Sequence, residues 1–580
     1  MSETLDIVLV QDNPVAGDTA LNADTIIDRL RCDPAADLIV FPECFLTGYP
    51  LGDLVMRPGF LFQVEAAVAR VRDAVIAADG PAVLFGAPLA GAALPYNAAY
   101  LIEPSGETRV VRKHELPNHD VFDERRTFAM SDERPTPLPF RGFNLGVMIC
   151  EDMWHGDVAR GLADELADIL VVLNGSPYSG GKQAKRRTIA RTRIRDTGLP
   201  LLYANLVGGQ DELVFDGASF IMNPEGGHTE ARAFAPAVMR MRLDRDADGL
   251  AHVHLVEDTQ LARYPEDRLE TDYTACVVGL RDYVAKSGMD RVVVGVSGGL
   301  DSALVLTMAV DALGADKVTG VMMPSRHTSA ESTTLAQDLM TRLGVTPRTV
   351  SIDPAFDLVD RDLTAFLDDM GSQTGQAPEM GVTRENLQSR LRGLALMGIT
   401  NAMGGIVLST GNKSEMAVGY ATLYGDMNGG FNPLKSVWKS QAFAMAEWRN
   451  TVSDLVATGP VARTPIPERI ISRPPSAELA EGQVDQASLG SYDILDTALI
   501  SLIETRASTA EVARVLKKTF GDDDLFRRSG GYSADSYADR VSRLVRTAQY
   551  KRDQSCPGVK LNITDFGLGW RYPIAGTYRL

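Results

Sequence analysis

Short apolar runs alternate with amphipathic stretches through the first 255 residues. LDIVLV, ADLIVFP, PAVLFG, NLGVMIC, DILVVLN and PLLYANL are apolar at nearly every position. That is the pattern of strands covered on both faces. YLIEPSGETRVVRK reads as a hairpin turning at Ser105-Gly106. The alternation stops near Leu255, where the polar, acidic VEDTQLARYPEDRLETDY predicts a boundary. It resumes with VVVGV and a helix, KVTGVMMP and the helix of SAESTTLAQDLMTRLG, then RTVSID and another helix. Repeated strand–helix–strand of this kind predicts a doubly wound parallel sheet. In ENLQSRLRGLALMGIT, Leu387, Leu391, Leu394 and Gly398 share one helical face, and GIVLSTGNKSE reads as a strand entering a loop. The Pro-rich stretch from Thr464 to Leu489 predicts a long irregular segment, a class that often carries function. The expected division is a domain over 1–258, a linker over 259–272 and a second domain over 273–580.

Composition narrows the class. At 580 residues, 45% apolar and 23% charged, the chain predicts a globular protein of roughly two to four domains. Its 76 acidic and 58 basic residues leave a net charge of −18, which argues against nucleic-acid and anionic-membrane partners. No apolar run reaches the ~20 residues needed to span a bilayer. MSETLDIVLVQDNP lacks a basic segment followed by an apolar one, so no secretory signal is expected. The five cysteines (Cys32, Cys44, Cys150, Cys276 and Cys556) are scattered, with no CxxC pair and no zinc spacing. A reducing cytoplasm is the expected compartment, and no zinc, flavin or haem is expected.

Two places carry chemistry. In the first, a strand, a glycine turn and a helix start meet at GVSGGLDSA. Glycines let backbone N–H groups approach phosphate, and the helix N-terminus favours the anion. The lysine of a phosphate-transfer loop is missing, and Asp301 stands inside the turn. A carboxylate beside phosphate calls for a cation, so Asp301 points to Mg²⁺; a plain helix cap is the alternative. In the second place, Cys150 lies in GVMICEDMW, where an apolar strand ends and acidic residues open a helix. Such an elbow exposes a nucleophile, whereas a lone cysteine is more often packing.

The SGGLDS loop resembles that of ATP pyrophosphatases, which release AMP and pyrophosphate. MPSRHTSAES, ENLQSRLRG, STGNKSEMAVGYATLYGD, RPPSAELAEGQVDQASLGSYDILD and YKRDQSCPGVK extend the likeness to NAD⁺ synthetases over nearly all of residues 270–580. The resemblance implies adenylation of the nicotinate carboxylate of deamido-NAD⁺, followed by attack of ammonia. Gly295, Val296, Ser297, Gly298, Gly299, Leu300, Asp301, Ser302 and Thr410 would contact ATP. Asn386, Glu415 and Lys551 would contact deamido-NAD⁺, and Asp301 with Glu415 would hold Mg²⁺. Asp553 departs from the family's KRRQ, since this chain has KRDQ at 551–554.

FPE…RKxxLP…FDE…CED resembles the nitrilase superfamily over roughly the first 260 residues. The likeness implies an αββα sandwich and maps the catalytic Glu, Lys and Cys onto Glu43, Lys113 and Cys150. Glu124 would hold Lys113 in place. Glu43 would take the thiol proton, Cys150 would attack an amide, and Lys113 would face the oxyanion. GSPYSGGKQAKRR is similar to a glutamine-recognition segment, which assigns Ser176 and Lys182 to glutamine. The alternative for Lys182 is membership of a solvated basic run with Lys185, Arg186 and Arg187. His119 stands where that family often has Tyr, also facing glutamine. Together the resemblances imply an α/β enzyme that draws ammonia from L-glutamine for ATP-dependent amidation, through an internal ammonia channel, as a homo-oligomer. A different ATP-pyrophosphatase amidotransferase, such as a GMP or asparagine synthetase, is the first alternative, and a non-catalytic nucleotide-binding regulatory protein is the alternative from another class.

Overall fold

The computed structural model describes residues 4–257, 261, 264–374, 380–474, 478–480 and 489–578. The chain forms two compact units, Met1–Glu266 and Asp267–Leu580.

In the first unit the apolar runs become strands of two mixed sheets. One runs, in spatial order, Ala251–Glu257, Ala237–Arg245, Thr4–Gln11, Leu38–Val40, Ala82–Leu89, Tyr96–Ile102 and Thr108–Arg112. The other runs His228–Glu230, Phe220–Met222, Leu201–Asn205, Ile169–Asn174, Phe143–Ile149 and Leu138–Phe140. Side chains alternate across each strand. Leu5, Ile7 and Leu9 meet Val147, Ile149, Val171 and Leu173 in the core between the sheets. Val8 and Val10 face the other way, onto Ile26, Leu30, Val64 and Val71 of the helices Thr19–Cys32 and Pro58–Ala78. Met148, Leu170 and Val172 pack on Val158, Leu162, Ala190 and Ile194 of the helices Gly156–Asp164 and Lys182–Thr197. The layers are therefore helix, sheet, sheet, helix. The expected hairpin is present, with Tyr96–Ile102 antiparallel to Thr108–Arg112.

The second unit has a parallel sheet in the order Arg348–Thr349, Val318–Met322, Val292–Gly295, Ile406–Leu408. The strand order reverses beside Val292–Gly295, and the carboxyl ends of strands at such a point form a ligand crevice. A helical core follows, built from Tyr492–Leu499, Thr509–Phe520 and Ala534–Thr547. No helix among the described residues is long and apolar enough to cross a membrane.

Three expectations need correction. Part of the 259–272 stretch is not linker, because Arg268 opens the helix Arg268–Lys286. Asp267 caps it by accepting from the Leu269 N–H at 2.8 Å. The 387/391/394/398 face is not the buried face of Gly381–Met403. Leu394 is exposed, while Gln388, Ser389, Gly393, Leu396 and Thr400 are buried. Polar contacts turn the helix: Gln388 donates to Leu479 O at 2.9 Å and Ser389 to Asp426 Oδ1 at 3.0 Å. The Thr464–Leu489 stretch is not wholly irregular, since Glu468–Ser472 is a short helix; 475–477 and 481–488 lie outside the described residues.

One close approach sets up the first site. A Cβ on Gly86 would lie 2.2 Å from Cys44 N and 2.7 Å from the backbone of Glu43. Only glycine lets this strand touch the turn that carries Glu43. Gly86→Ala is expected to destabilise the first unit by about 1–3 kcal/mol, the range for overpacking. Thermal unfolding followed by circular dichroism checks this; an unchanged melting temperature would show that the turn yields freely.

Candidate functional site

Each element of the first unit delivers its residue at a sheet end. Glu43 follows Leu38–Val40, Lys113 follows Thr108–Arg112, and Cys150 follows Phe143–Ile149. Glu43 and Lys113 are fully buried and Glu124 nearly so. The Lys113 ammonium donates to Glu43 Oε1 at 2.7 Å and to Glu124 Oε2 at 2.8 Å. Glu43 also accepts from Asn97 Nδ2 and from the Gly175 N–H, each at 2.7 Å. Tyr49 Oη donates to Glu124 Oε1 at 2.7 Å. Burial opposes a charge on Lys113, but Glu124 and Glu43 outweigh it and push its pKa well above the lysine range.

Cys150 has φ +45°, in the left-handed region a side chain rarely adopts. Asp152, fully buried, holds the elbow: its carboxylate accepts from the N–H groups of His114 (3.1 Å), Glu115 (2.8 Å) and Ile149 (2.9 Å). One side chain thus ties the residues after Lys113 to the residue before Cys150. Burial, then the charge on Glu43, pushes the Cys150 thiol well above the ordinary cysteine range. The resting thiol is therefore protonated and needs a base to act as a nucleophile.

The three residues expected at glutamine part company. His119 is exposed, with Nε2 3.5 Å from Glu151 Oε1 and its ring edge-on to Phe122. Lys182 Nζ lies 5.6 Å from the centre of the same Phe122 ring. Ser176 is instead buried and tied to Arg186, whose Nε donates to its Oγ at 3.1 Å. The basic run is solvated only in part, with Lys185 exposed. Arg186 is fully buried against Asp216, and Arg187 donates to Glu230 at 2.6 Å.

In the second unit the SGGLDS loop lines a cavity of about 840 Å³. Gly295, Val296, Ser297, Gly299, Leu300, Asp301, Ser302, Thr410, Asn386, Glu415 and Lys551 all border it. The loop leaves the strand Val292–Gly295, and Thr410 follows the adjacent Ile406–Leu408, so both reach the crevice from strand ends. Gly298 does not border it; it has φ +81°, and a Cβ there would meet Ser332 O at 2.3 Å. Ser297 Oγ and Ser302 Oγ lie 3.0 Å apart, and Gly299 N–H donates to Ser297 Oγ at 3.2 Å. Asp301 is not a helix cap: Gly299 holds that position, with no side-chain cap. Lys551 Nζ donates to Gly419 O and Ala421 O at 2.8 and 2.7 Å, and Asn386 accepts from Thr422 Oγ at 2.8 Å.

Asp301 and Glu415 do converge, around a residue that sequence reasoning missed. Lys439 Nζ donates to Asp301 Oδ2 at 2.5 Å and to Glu415 Oε1 at 3.4 Å. Asp301 Oδ1 is buried with no hydrogen-bond partner. A carboxylate oxygen left this way beside a second carboxylate fits a cation that takes its remaining ligands from phosphate and water. No group of three or more His, Cys, Asp or Glu suited to a metal occurs among the described residues. Asn97, Asp152, Arg186 and Asp216 were also missed. Asp152 had a signal, a carboxylate three residues after a strand end; the others had none in a single sequence.

A helix–sheet–sheet–helix sandwich with a buried Glu–Lys–Glu set beside a strained cysteine defines a carbon–nitrogen hydrolase, carried on one chain with a nucleotide-type α/β unit. The carbon-nitrogen hydrolase family model matches residues 9–245, and the NAD synthase model matches 273–526. The glutamine-dependent NAD(+) synthetase of Rhodobacter capsulatus is 43% identical over 100% of both chains, and that of Xylella fastidiosa (strain 9a5c) is 40% identical over 100% of both. The solved Acinetobacter baumannii enzyme, in complex with adenosine diphosphate, superposes with a TM-score of 0.72 at 34% identity over 98% of each chain. The chain belongs to the glutamine-dependent NAD(+) synthetases, which are carbon–nitrogen ligases.

Since Glu43 stands second only to burial in raising the Cys150 thiol, Glu43→Gln is expected to move the pH midpoint of iodoacetamide labelling at Cys150 downward. Peptide mapping by mass spectrometry reads this at Cys150 alone. A midpoint unchanged or higher would remove the electrostatic link between the two side chains.

Proposed function

We propose that the first unit hydrolyses glutamine at Glu43, Lys113 and Cys150, and that the second adenylates deamido-NAD⁺ with ATP and amidates it with the ammonia released. The observation that carries the reading is one chain with both the buried Glu43–Lys113–Glu124 set at a cysteine elbow and a cavity bordered by SGGLDS, Thr410, Asn386, Glu415 and Lys551.

In the first unit, Glu43 takes the Cys150 thiol proton as sulfur attacks the glutamine amide carbon. The ammonium of Lys113 stabilises the oxyanion as it forms. The proton on Glu43 passes to the leaving nitrogen, ammonia departs, and a thioester remains. Glu43 then activates water, which releases glutamate and restores the thiol. Glu124 and Tyr49 hold Lys113 in line. Lys182 and His119, flanking Phe122, suit the carboxylate end of glutamine. Ser176 reaches glutamine only through the loop that Arg186 holds.

In the second unit, the Ser297–Ser302 loop presents N–H and hydroxyl donors to the ATP phosphates. The nicotinate carboxylate attacks the α-phosphorus, pyrophosphate leaves, and ammonia displaces AMP from the acyl adenylate. Asp301 and Glu415 would hold Mg²⁺, which would offset phosphate charge. Lys439 adds a positive charge at the same place.

Cys150→Ala is expected to abolish NAD⁺ synthesis from glutamine and leave synthesis from ammonium salts intact. Assays with deamido-NAD⁺ and Mg-ATP, run with each nitrogen source, decide it. Equal loss with both sources in a folded variant, or glutaminase activity that persists, would overturn the assignment. Asp301→Asn is expected to lose most ammonium-driven synthesis and to raise the Mg²⁺ concentration needed for the remainder. A near-normal rate with unchanged Mg²⁺ dependence would remove Asp301 from the cation site.

A further inference from the structure

Behind the loop that donates Gly175 N–H to Glu43 lies a buried polar network that the chemistry above does not use. The Arg186 guanidinium is its centre. Nη1 donates to Asp216 Oδ1 and Oδ2 at 2.8 and 2.9 Å and to Gln183 Oε1 at 3.1 Å. Nη2 donates to the carbonyls of Ser176 and Pro177 at 2.8 and 2.9 Å, and Nε to Ser176 Oγ at 3.1 Å. Asn205 holds the same loop from its other side, accepting from Ser176 N–H at 3.0 Å. Both members of the Arg186–Asp216 pair are fully buried. Such a pair is weak support for stability, because desolvation offsets most of the attraction. Its geometric effect is definite: a planar, five-donor fork fixes the loop carbonyls relative to Asp216.

Asp216 has one further donor. Tyr264 Oη lies 3.0 Å from Asp216 Oδ2. Burial, then the Asp216 carboxylate, pushes the Tyr264 phenol far above its ordinary range, so it stays protonated and donates. The ring is seated beside Phe234 at 6.4 Å between centroids. Tyr264 is the third residue from the end of the first unit, whose last residue is Glu266. Three residues on, Asp267 caps the first helix of the second unit. The stretch joining the units therefore carries one bond of the network.

We infer that Tyr264 is a positioning residue for glutamine hydrolysis, aligning Glu43 through Asp216, Arg186 and the 175–177 loop. The inference rests on the reading of Glu43 as the base. Hydrogen bonds carry each link except the peptide bond from Ser176 to Gly175, and the path ends in the 2.7 Å contact of Gly175 N–H with Glu43 Oε2. Removing the Tyr264 hydroxyl leaves Oδ2 of Asp216 to Nη1 alone. Asp216 then draws the guanidinium toward itself, and the rigid fork carries the shift to Ser176, Pro177 and Gly175. A shift of the chain at the junction acts on Asp216 in the same way, so the connecting stretch is part of the catalytic geometry.

Tyr264→Phe in the full chain tests this, since it keeps the ring and removes only the hydroxyl. Glutamine-driven kcat is expected to fall roughly ten- to a hundredfold, the scale of a small misplacement. The KM for glutamine should stay within about twofold, as for a group acting on the chemical step. Ammonium-driven synthesis should be unchanged, and alkylation should titrate Cys150 to the same stoichiometry. A wild-type kcat, a KM effect without a kcat effect, or a loss matched by lost Cys150 titration would each overturn the inference. Glu43→Gln is measured alongside. If Glu43→Gln retains glutamine turnover, the reading of the base falls and this inference with it; an inactive Glu43→Gln beside a fully active Tyr264→Phe sinks this inference alone.

Discussion

The first unit is organised around one buried ammonium. Lys113 has no contact with water, and an unpaired charge in that position would be untenable. Two carboxylates accept its hydrogen bonds. Asn97, the Gly175 N–H and Tyr49 supply further donors to the same carboxylates. Each comes from a different stretch of chain, so the sheet ends must close within tenths of an ångström for all to bond together. Asp152 shows the same logic without a counter-ion, since three backbone N–H groups satisfy its carboxylate. This end of the sheets is tightly specified because few other arrangements leave these polar groups solvated by protein.

The second unit solves the opposite problem. Its cavity is open to a charged ligand, and the groups around it are only partly satisfied. Asp301 Oδ1 has no partner, and Lys439 spans two carboxylates at unequal distances, 2.5 and 3.4 Å. Loop, strand ends and helix start supply donors that suit an anion brought from outside. The contrast suits the ligands of the proposed function: a neutral amide in one site, polyphosphate in the other.

The fold was readable because its determinants are local. Apolar runs bounded by turns became strands, and Ser105-Gly106 became the expected hairpin. Glu43, Lys113 and Cys150 were legible as positions just past strand ends in a known pattern, and Asp301 and Thr410 as parts of motifs that border one cavity. What escaped depends on contacts distant in sequence. Arg186 reads as one of several surface cations, and only Asp216, 30 residues on, makes it a core residue. Lys439 is 138 residues from Asp301 and belongs to no pattern. Leu394 misled for a related reason: hydrogen bonds of Gln388 and Ser389, invisible in the apolar spacing, decided which way that helix turned.

The raised thiol of Cys150 has a consequence for the cell's chemistry. Peroxide and disulfides react with thiolate, not thiol, so a cysteine kept protonated by burial is a poor target for oxidation. Reactive cysteines elsewhere gain speed by lowering their pKa and accept the hazard that follows. Under the proposed mechanism the proton stays on sulfur until a bound amide and an adjacent carboxylate draw it off together. A nucleophile kept protonated in this way is a slower target for oxidants than one held as thiolate.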